Sequence, residues 1–306
     1  MKKIYYITAV FATLFLVGCG DGIDLPGVNV ETDLNKIPLP DNNVNLEQVE
    51  LKPSTEPMLH EGLHTEEDFQ RIRDKKAAGE EPWVSAYQLL VESQFSQKTA
   101  DTYPTEWIKR GVSGDENYMN AARGATIAYQ QALRWKIEQD DEYAAKAVEN
   151  LNKWVQTCVG VTGNTNLSLA AGLYGYEFAI AGELLRDYGG WDRADFAAFQ
   201  NWLLKVFYPA NDDFLKRHHD TNALHYWANW CLCNIAAKMA IGIVTDRRDI
   251  YNEGIAHLQT GDTNGRLRRA IYHDYAPDYN FAQWQESGRD QGHTLMCVGL
   301  MGIICQ

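Results

Sequence analysis

Residues Trp230–Val244 read WCLCNIAAKMAIGIV, and their reading decides the fold. Only Asn234 and Lys238 are polar. A helix that is apolar on every side has no face to give to water, so it belongs inside a core. Two other stretches share this character: Thr294–Cys305, TLMCVGLMGIIC, and residues 166–185, marked by Leu169, Leu173, Tyr176, Ile180 and Leu184. Between them lie helices of a different kind. Residues 141–157 place Ala144, Ala147, Val148, Leu151 and Val155 on one face, and residues 192–206 do the same with Phe196, Phe199, Leu203 and Val206. Residues 246–258 are amphipathic as well. Inner helix, outer helix, inner helix is the pattern of stacked helical hairpins.

Further out, Thr65-Glu66-Glu67-Asp68 opens a helix with a box-like cap. Residues Asn117–Glu138 repeat Ala122, Ala125, Tyr129, Ala132, Leu133 and Ile137 at helical spacing. No alternating strand run exceeds a few residues. The expected fold is all-α, an (α/α) toroid or barrel over residues 59–306. An α-solenoid would share the alternation but needs a repeated motif that is absent. The last apolar helix runs to Gln306 with no Gly cap, no basic last turn and no outer partner, so the toroid is expected to be incomplete at its C-terminal side.

Composition sets the outer limits. The 306 residues carry a net charge of −13, with 45% hydrophobic and 11% aromatic residues. That is too apolar for a disordered chain and too charged for a polytopic membrane protein. So acidic a chain lacks the basic footprint of broad nucleic-acid binding. Neither GxxxxGK[ST] nor GxGxxG occurs. Cys158, Cys231, Cys233, Cys297 and Cys305 sit in apolar stretches and imply buried thiols rather than a disulfide framework. No cofactor is expected, and no HExxH or comparable spacing marks a catalytic metal.

The N-terminus reads as an address. Lys2-Lys3 precede an apolar run from Ile4 to Val17, too short to span a membrane comfortably. Leu16-Val17-Gly18-Cys19 resembles the lipobox of bacterial lipoproteins. That resemblance implies removal of a signal peptide, residues 1–18, and lipidation of Cys19. The product would be anchored in the bacterial cell envelope, periplasmic or associated with the outer membrane. An ordinary secretory signal is the alternative. Residues 19–58, with Pro26, Pro38, Pro40, Pro53 and Pro57, read as a flexible tether.

The polar residues are concentrated in three places. Asn164 and Asn166 precede the 166–185 helix. Lys216-Arg217-His218-His219-Asp220, Asn222, His225 and Asn229 surround the start of a helix expected from about His225. Gln285-Glu286-Ser287-Gly288-Arg289-Asp290-Gln291-Gly292-His293 leads into a last helix expected from about Arg289. Each cluster lies at the N-terminal end of an inner helix, so in a toroid they gather on one rim. Free N–H groups and the helix dipole favour an anion there. Arg217, Arg266, Arg268, Arg269 and Arg289 add positive charge. Tyr226, Trp227, Tyr272, Tyr275, Tyr279 and Trp284 offer faces for sugar rings. If residues 289–293 are helical, Arg289 and His293 share one face.

At these residues the chain resembles the alginate lyase-type polysaccharide lyases with α/α toroid domains. Three stretches carry the likeness: Leu63–Asp68 through Gly79-Glu80-Glu81-Pro82-Trp83; His225–Trp230 followed by Ala240-Ile241-Gly242 and Asp246-Arg247-Arg248; and Gln285–Thr294. The resemblance implies β-elimination on an anionic uronate polymer such as alginate or glucuronan. A donor must neutralise the carboxylate next to C5, a base must take the C5 proton, and an acid must protonate the departing O4. In related lyases Asn, His and Arg neutralise while Tyr is acid, base or both. Carried onto this chain, the implied catalytic residues are Tyr272, His225, Arg289 and Asn166. Substrate binding is implied for Tyr226, Trp227, Asn229, His219, Asn222, Gln285, Glu286 and His293.

Some alginate lyases have Asn-Asn-His-x-Tyr-Trp. Here Asn222-Ala223-Leu224-His225-Tyr226-Trp227 keeps Asn, Tyr and Trp but moves the His, so His219 competes with His225 for that role. Tyr272 follows three Arg and is the first Tyr candidate, with Tyr226 the second. Simpler roles compete: Asn166 and Asp290 as helix caps, Tyr226 and Trp227 as core packing, and His218-His219 as loop residues. Two other functions stay open. A toroid glycoside hydrolase would need two carboxylates, from among Glu177, Glu183, Glu286 and Asp290. A non-catalytic glycan-binding lipoprotein would keep only the groove.

Overall fold

The computed structural model describes residues 58, 60, 62–275 and 282–306. The expected signal peptide, Cys19 and almost all of the expected tether lie outside these residues, as does Tyr279.

The fold is all-α. In chain order the elements are α1 (Glu66–Ala77), α2 (Trp83–Glu92), β1 (Trp107–Arg110), α3 (Tyr118–Glu138), α4 (Asp141–Thr157), β2 (Gly160–Gly163) and α5 (Leu167–Leu184). They continue with α6 (Arg193–Val206), α7 (Tyr208–Arg217), a 3-10 turn (His218–Asp220), α8 (Ala228–Val244), α9 (Arg248–Thr260), α10 (Leu267–Ala270), β3 (Ile271–Asp274), β4 (Ala282–Trp284) and α11 (Gln291–Cys305). None of the described helices is long and apolar enough to cross a membrane.

The two kinds of helix occupy two layers. In the inner layer α3 packs on α5, α5 on α8, and α8 on α11. In the outer layer α4 covers α3, α9 covers α8, and α6 and α7 flank α5 and α8. Aromatic rings glue the layers together. Phe178 of α5 meets Trp154 of α4 at 5.4 Å, Trp202 of α6 at 5.1 Å and Phe207 at 5.9 Å between ring centroids. All four rings are buried. Burying a side chain of this size is worth roughly 1.5–3 kcal/mol. At Gly172 an added Cβ would lie 2.5 Å from Cys233 Sγ, so α5 and α8 approach closely there. Four of the five thiols are buried as expected, but Cys305, at the end of α11, is exposed.

Helix boundaries follow local chemistry. Thr65 caps α1: its Oγ1 accepts from Asp68 N–H at 3.1 Å, and Asp68 accepts from Thr65 N–H at 3.0 Å. Asp140 caps α4 and Asp192 caps α6 through their carboxylates. Three expected starts move. Helix α8 begins at Ala228 rather than His225, because His218, His219 and Asp220 have left-handed backbones (φ 50, 52 and 58°) and residues 221–227 form a loop. Helix α9 begins at Arg248 because Asp246 is also left-handed, at φ 59°. Helix α11 begins at Gln291 with Asp290 as its cap. Arg289 therefore lies outside the helix, and the shared-face reading of Arg289 and His293 does not hold.

Two short sheets direct the chain to one end of the inner layer. Strands β1 and β2 pair in parallel, Trp107 opposite Gly160 and Arg110 opposite Gly163. Strand β1 leads into α3, and β2 runs from the end of outer α4 to the start of inner α5. Asn117, just before α3, spends its amide on this sheet and does not cap the helix: it accepts from Lys109 N–H at 2.7 Å and donates to Trp107 O at 3.0 Å. Strands β3 and β4 pair antiparallel ahead of α11. At the opposite end, His60 contacts Glu183 at 3.4 Å and Asp246 at 2.9 Å, fixing the preceding segment against the C-terminal ends of α5 and α8.

Candidate active site

Side chains link the start of α5 to the turn before α8, and the start of α8 to the segment before α11. At α5, Asn164 Oδ1 accepts from both Asn166 N–H and Asn166 Nδ2, each at 2.9 Å. Asn166 occupies the cap position but makes no capping bond with its side chain, so its amide is not used for closing the helix. Asn164 rests against Gly111, where φ is +78° and an added Cβ would fall 1.9 Å from its Oδ1. Only glycine fits that approach.

One turn into α5, buried Ser168 joins α5 to the 3-10 turn: its Oγ lies 3.0 Å from His219 Nε2. The His219 ring meets Tyr226 edge-on at 5.7 Å, and the His225 ring meets the same phenol edge-on at 4.9 Å. Both imidazoles thus contact the ring of Tyr226, which is itself buried. Tyr226 is seated on Trp230 (4.6 Å) and Phe214 (5.2 Å). His218 is turned inward, buried, with Nε2 3.8 Å from Cys231 Sγ. Burial, and secondarily the charge of His219, lowers its pKa. Consecutive left-handed residues are costly and persist only where the surroundings hold them. Here the Phe214 ring packs on both histidines.

Gln285 ties α8 to the α11 side. It is buried, its Oε1 accepts from Ala228 N–H at 3.1 Å, and its Nε2 donates to Asn264 Oδ1 at 3.0 Å and Arg269 O at 2.8 Å. Asn264 in turn donates to Tyr226 O at 2.8 Å and Leu224 O at 3.0 Å. Gln285 thereby satisfies a free N–H at the start of α8 and fixes the loop that carries Tyr226. Asn229, also buried, accepts from Trp230 N–H at 2.9 Å and sits where α8 meets α11.

Beyond Gln285, Glu286 is left-handed (φ 66°) and its side chain is only 1% exposed. Its Oε1 pairs with Arg289 Nη1 at 2.8 Å, while Oε2 is buried without a partner among the described residues. Arg289 also lies 3.5 Å from Asp290. Asp290 accepts from His293 N–H at 2.8 Å and contacts the His293 ring at 2.6 Å. The backbone bond first, and then the ring, hold its carboxyl below the usual range.

Several expected residues lie further out. Tyr272 on β3 is 71% exposed, and Trp227 is 53% exposed. His225 and Asn222 are exposed on the loop before α8. Three of the arginines expected to enrich the rim are engaged locally: Arg217 with Asp213 and Asp220, Arg266 with Gln259 O, and Arg269 with Asp262 O. Tyr275 donates to Gln283. Among the described residues no group of three or more His, Cys, Asp and Glu side chains is placed to hold a metal ion.

Three residues of this rim were not anticipated. The Arg110 guanidinium lies 4.7 Å from the Tyr118 ring centroid, and Tyr118 stacks on Tyr174 at 6.4 Å and 10°. Burial pushes the Tyr174 phenol up, and the Arg110 charge opposes that rise. The only local trace in sequence is the Trp-Ile-Lys-Arg-Gly run, too short to reveal a strand.

The segment before α8 offers acid–base groups (His219, Tyr226, His225), and the starts of α3, α5 and α11 carry neutral and cationic donors (Arg110, Asn166, Arg289), where helix N-termini favour an anion. No curated protein matches the chain. Residues 72–270, well over half of its length, match the alginate lyase family. They take in α2–α10 and the Ser168–His219–Tyr226 cluster. The chain belongs to the alginate lyase family and is thus a polysaccharide lyase.

Proposed function

We propose that the chain cleaves a uronate-containing polymer, of alginate or glucuronan type, by β-elimination. The observation that carries this reading is Tyr226 in ring contact with both His219 and His225, with Ser168 Oγ near Nε2 of His219. The C5 proton of a uronate is weakly acidic because its neighbour is a carboxylate. Asn166 and Arg289 neutralise that carboxylate, so charge that develops on it is tolerated. A base takes the C5 proton. The C–H electron pair becomes the C4=C5 double bond, the C4–O4 bond breaks, and O4 receives a proton.

Tyr226 supplies the phenol for proton transfer, with His219 and His225 as its partners. Exposed Tyr272 is the second choice and, with Trp227, packs against sugar rings. Asn222 and His293 add polar contacts at the rim. Asn229, Gln285 and Glu286 act by holding α8, α11 and Arg289 in position. The hydrolase alternative has less support. Glu177 is buried, Glu183 pairs with Arg186, Glu286 pairs with Arg289, and Asp290 caps α11.

Incubation with alginate and glucuronan tests the reading. Ultraviolet absorbance from an unsaturated uronate end supports it. Reducing ends without that absorbance, or binding without either, overturn it. The lipobox likeness leads to a second part of the proposal: the lyase is tethered through a lipid on Cys19 to the cell envelope. Labelled fatty acid should enter the wild-type chain in a bacterial host and not the Cys19→Ala variant; equal labelling of both would discard the anchor.

A further inference from the structure

A cation at the inner end of β1 is left unexplained by the fold. Arg110 Nη1 is buried and has no hydrogen-bond partner among the described residues. Glu116, in the loop that follows, accepts from Gly111 N–H at 2.5 Å. On the other face of the strand, Lys109 pairs with Asp115 at 2.5 Å. The Arg110 guanidinium rests on Tyr118, the first residue of α3. Gly111 beside it touches Asn164, which holds Asn166 at the start of α5. A half-buried guanidinium with an unmet N–H, on an aromatic face between two helix N-termini, has the surroundings of a carboxylate site without the carboxylate. Its planar fork matches a carboxylate in two parallel hydrogen bonds.

We propose that Arg110 binds a uronate carboxylate of the polymer in a subsite between the starts of α3 and α5, separate from the carboxylate held by Arg289. This rests on the uronate-lyase reading above. A uronate polymer carries a carboxylate on every such sugar, so neighbouring units present anions to more than one cation. Tyr118 orients the guanidinium from below.

Arg110→Ala, Arg110→Gln and Arg110→Lys are compared with the wild type in elimination kinetics, thermal melting and calorimetric titration. The titrants are a uronate oligosaccharide and its carboxyl-reduced, neutral counterpart. Charge-assisted hydrogen bonds of this kind make the expected rise in KM about ten- to hundred-fold in the Ala and Gln variants, with kcat changed less. Lys should fall between them and the wild type. The uronate oligosaccharide should bind the Ala variant more weakly, and the neutral one should bind both proteins alike. Because Arg110 has no ion pair to lose among the described residues, Tm should stay level or rise.

An active wild type with unchanged KM in the Ala and Gln variants overturns the subsite and leaves the lyase reading standing. So does a lowered Tm with unchanged uronate affinity, which would make Arg110 structural. If the wild type binds uronate without cleaving it, the lyase reading falls and the subsite is judged by affinity alone. If it does neither, both fall.

Discussion

Lys238 and Arg110 are both cations drawn in from solvent, and they are satisfied in opposite ways. Lys238, on α8, is completely buried; its Nζ lies 2.8 Å from Asp212 of α7, 2.5 Å from Glu253 of α9, and 5.5 Å from the Tyr208 ring centroid. Arg110 has a ring beneath it and a buried N–H with no partner among the described residues. A buried cation is tolerated when paired and costly when not. The Lys238 charge is therefore matched, and its ion pairs join α7, α8 and α9. The rim at the starts of α3, α5, α8 and α11 carries unmet donors and acceptors, left-handed turns and exposed rings. On the proposed reading, Lys238 serves the fold and Arg110 serves a ligand.

The largest test of that contrast is Tyr226→Phe. Removing a general acid or base typically costs 10²–10⁴-fold, so kcat/KM should fall by about that range with circular dichroism unchanged. If Tyr272→Phe shows this loss and Tyr226→Phe does not, proton transfer belongs to exposed β3 and not to the histidine-flanked loop. Arg289→Ala should lower kcat by roughly 10²–10³-fold, the usual cost of losing a donor to developing negative charge. Full activity in that variant would remove the start of α11 from the chemistry.

Lys238→Met should do the reverse. Breaking a buried ion pair costs about 3 kcal/mol, read as a lower midpoint in denaturant, while kcat in the folded fraction stays within about two-fold of wild type. Lost turnover at undiminished stability would break the comparison.

The smallest effect lies in the pH dependence of stability. Burial pushes Glu177 up to about 8, a hydrogen bond from Thr126 opposing it. The folded state then binds a proton that the unfolded chain has released, and stability falls as pH rises from about 4.5 to 8. Burial lowers His64 to about 4 against the charge of Asp68. It also lowers His257 to about 4, aided by Lys238 and opposed by Asp212 and Glu253. These histidines contribute stability above their ordinary pKa of 6.5, and it is lost as pH falls toward 4. The two trends place maximum Tm near pH 6.5. Glu177→Gln should raise Tm at pH 8.5 by a few degrees and leave the acid limb intact. An unchanged alkaline limb would show that Glu177 does not titrate this way.

The sequence by itself determined the elements and their layers. Trp230–Val244 lacks a polar stripe, so it had to be inner, whereas 141–157 has one and had to be outer. Thr65 with Asp68 marked the start of α1 because a cap is a contact across three residues. The grouping of polar residues at the starts of apolar helices was equally legible, since periodicity and composition are local properties. Only the tertiary structure decided which of those residues face one another. Parallel pairing of β1 with β2 brings Arg110 opposite Gly163, just ahead of α5, although nothing near Arg110 in the chain indicates it. Gln285 reads as a rim residue, yet it spends its amide on the Ala228 N–H and on Asn264. Arg289 was displaced from its expected helix face because Asp290 caps α11. Local propensity fixes where a helix can form. Register, burial and the pairing of charges are settled by distant segments competing for the same space, and those contacts choose which His and which Tyr meet.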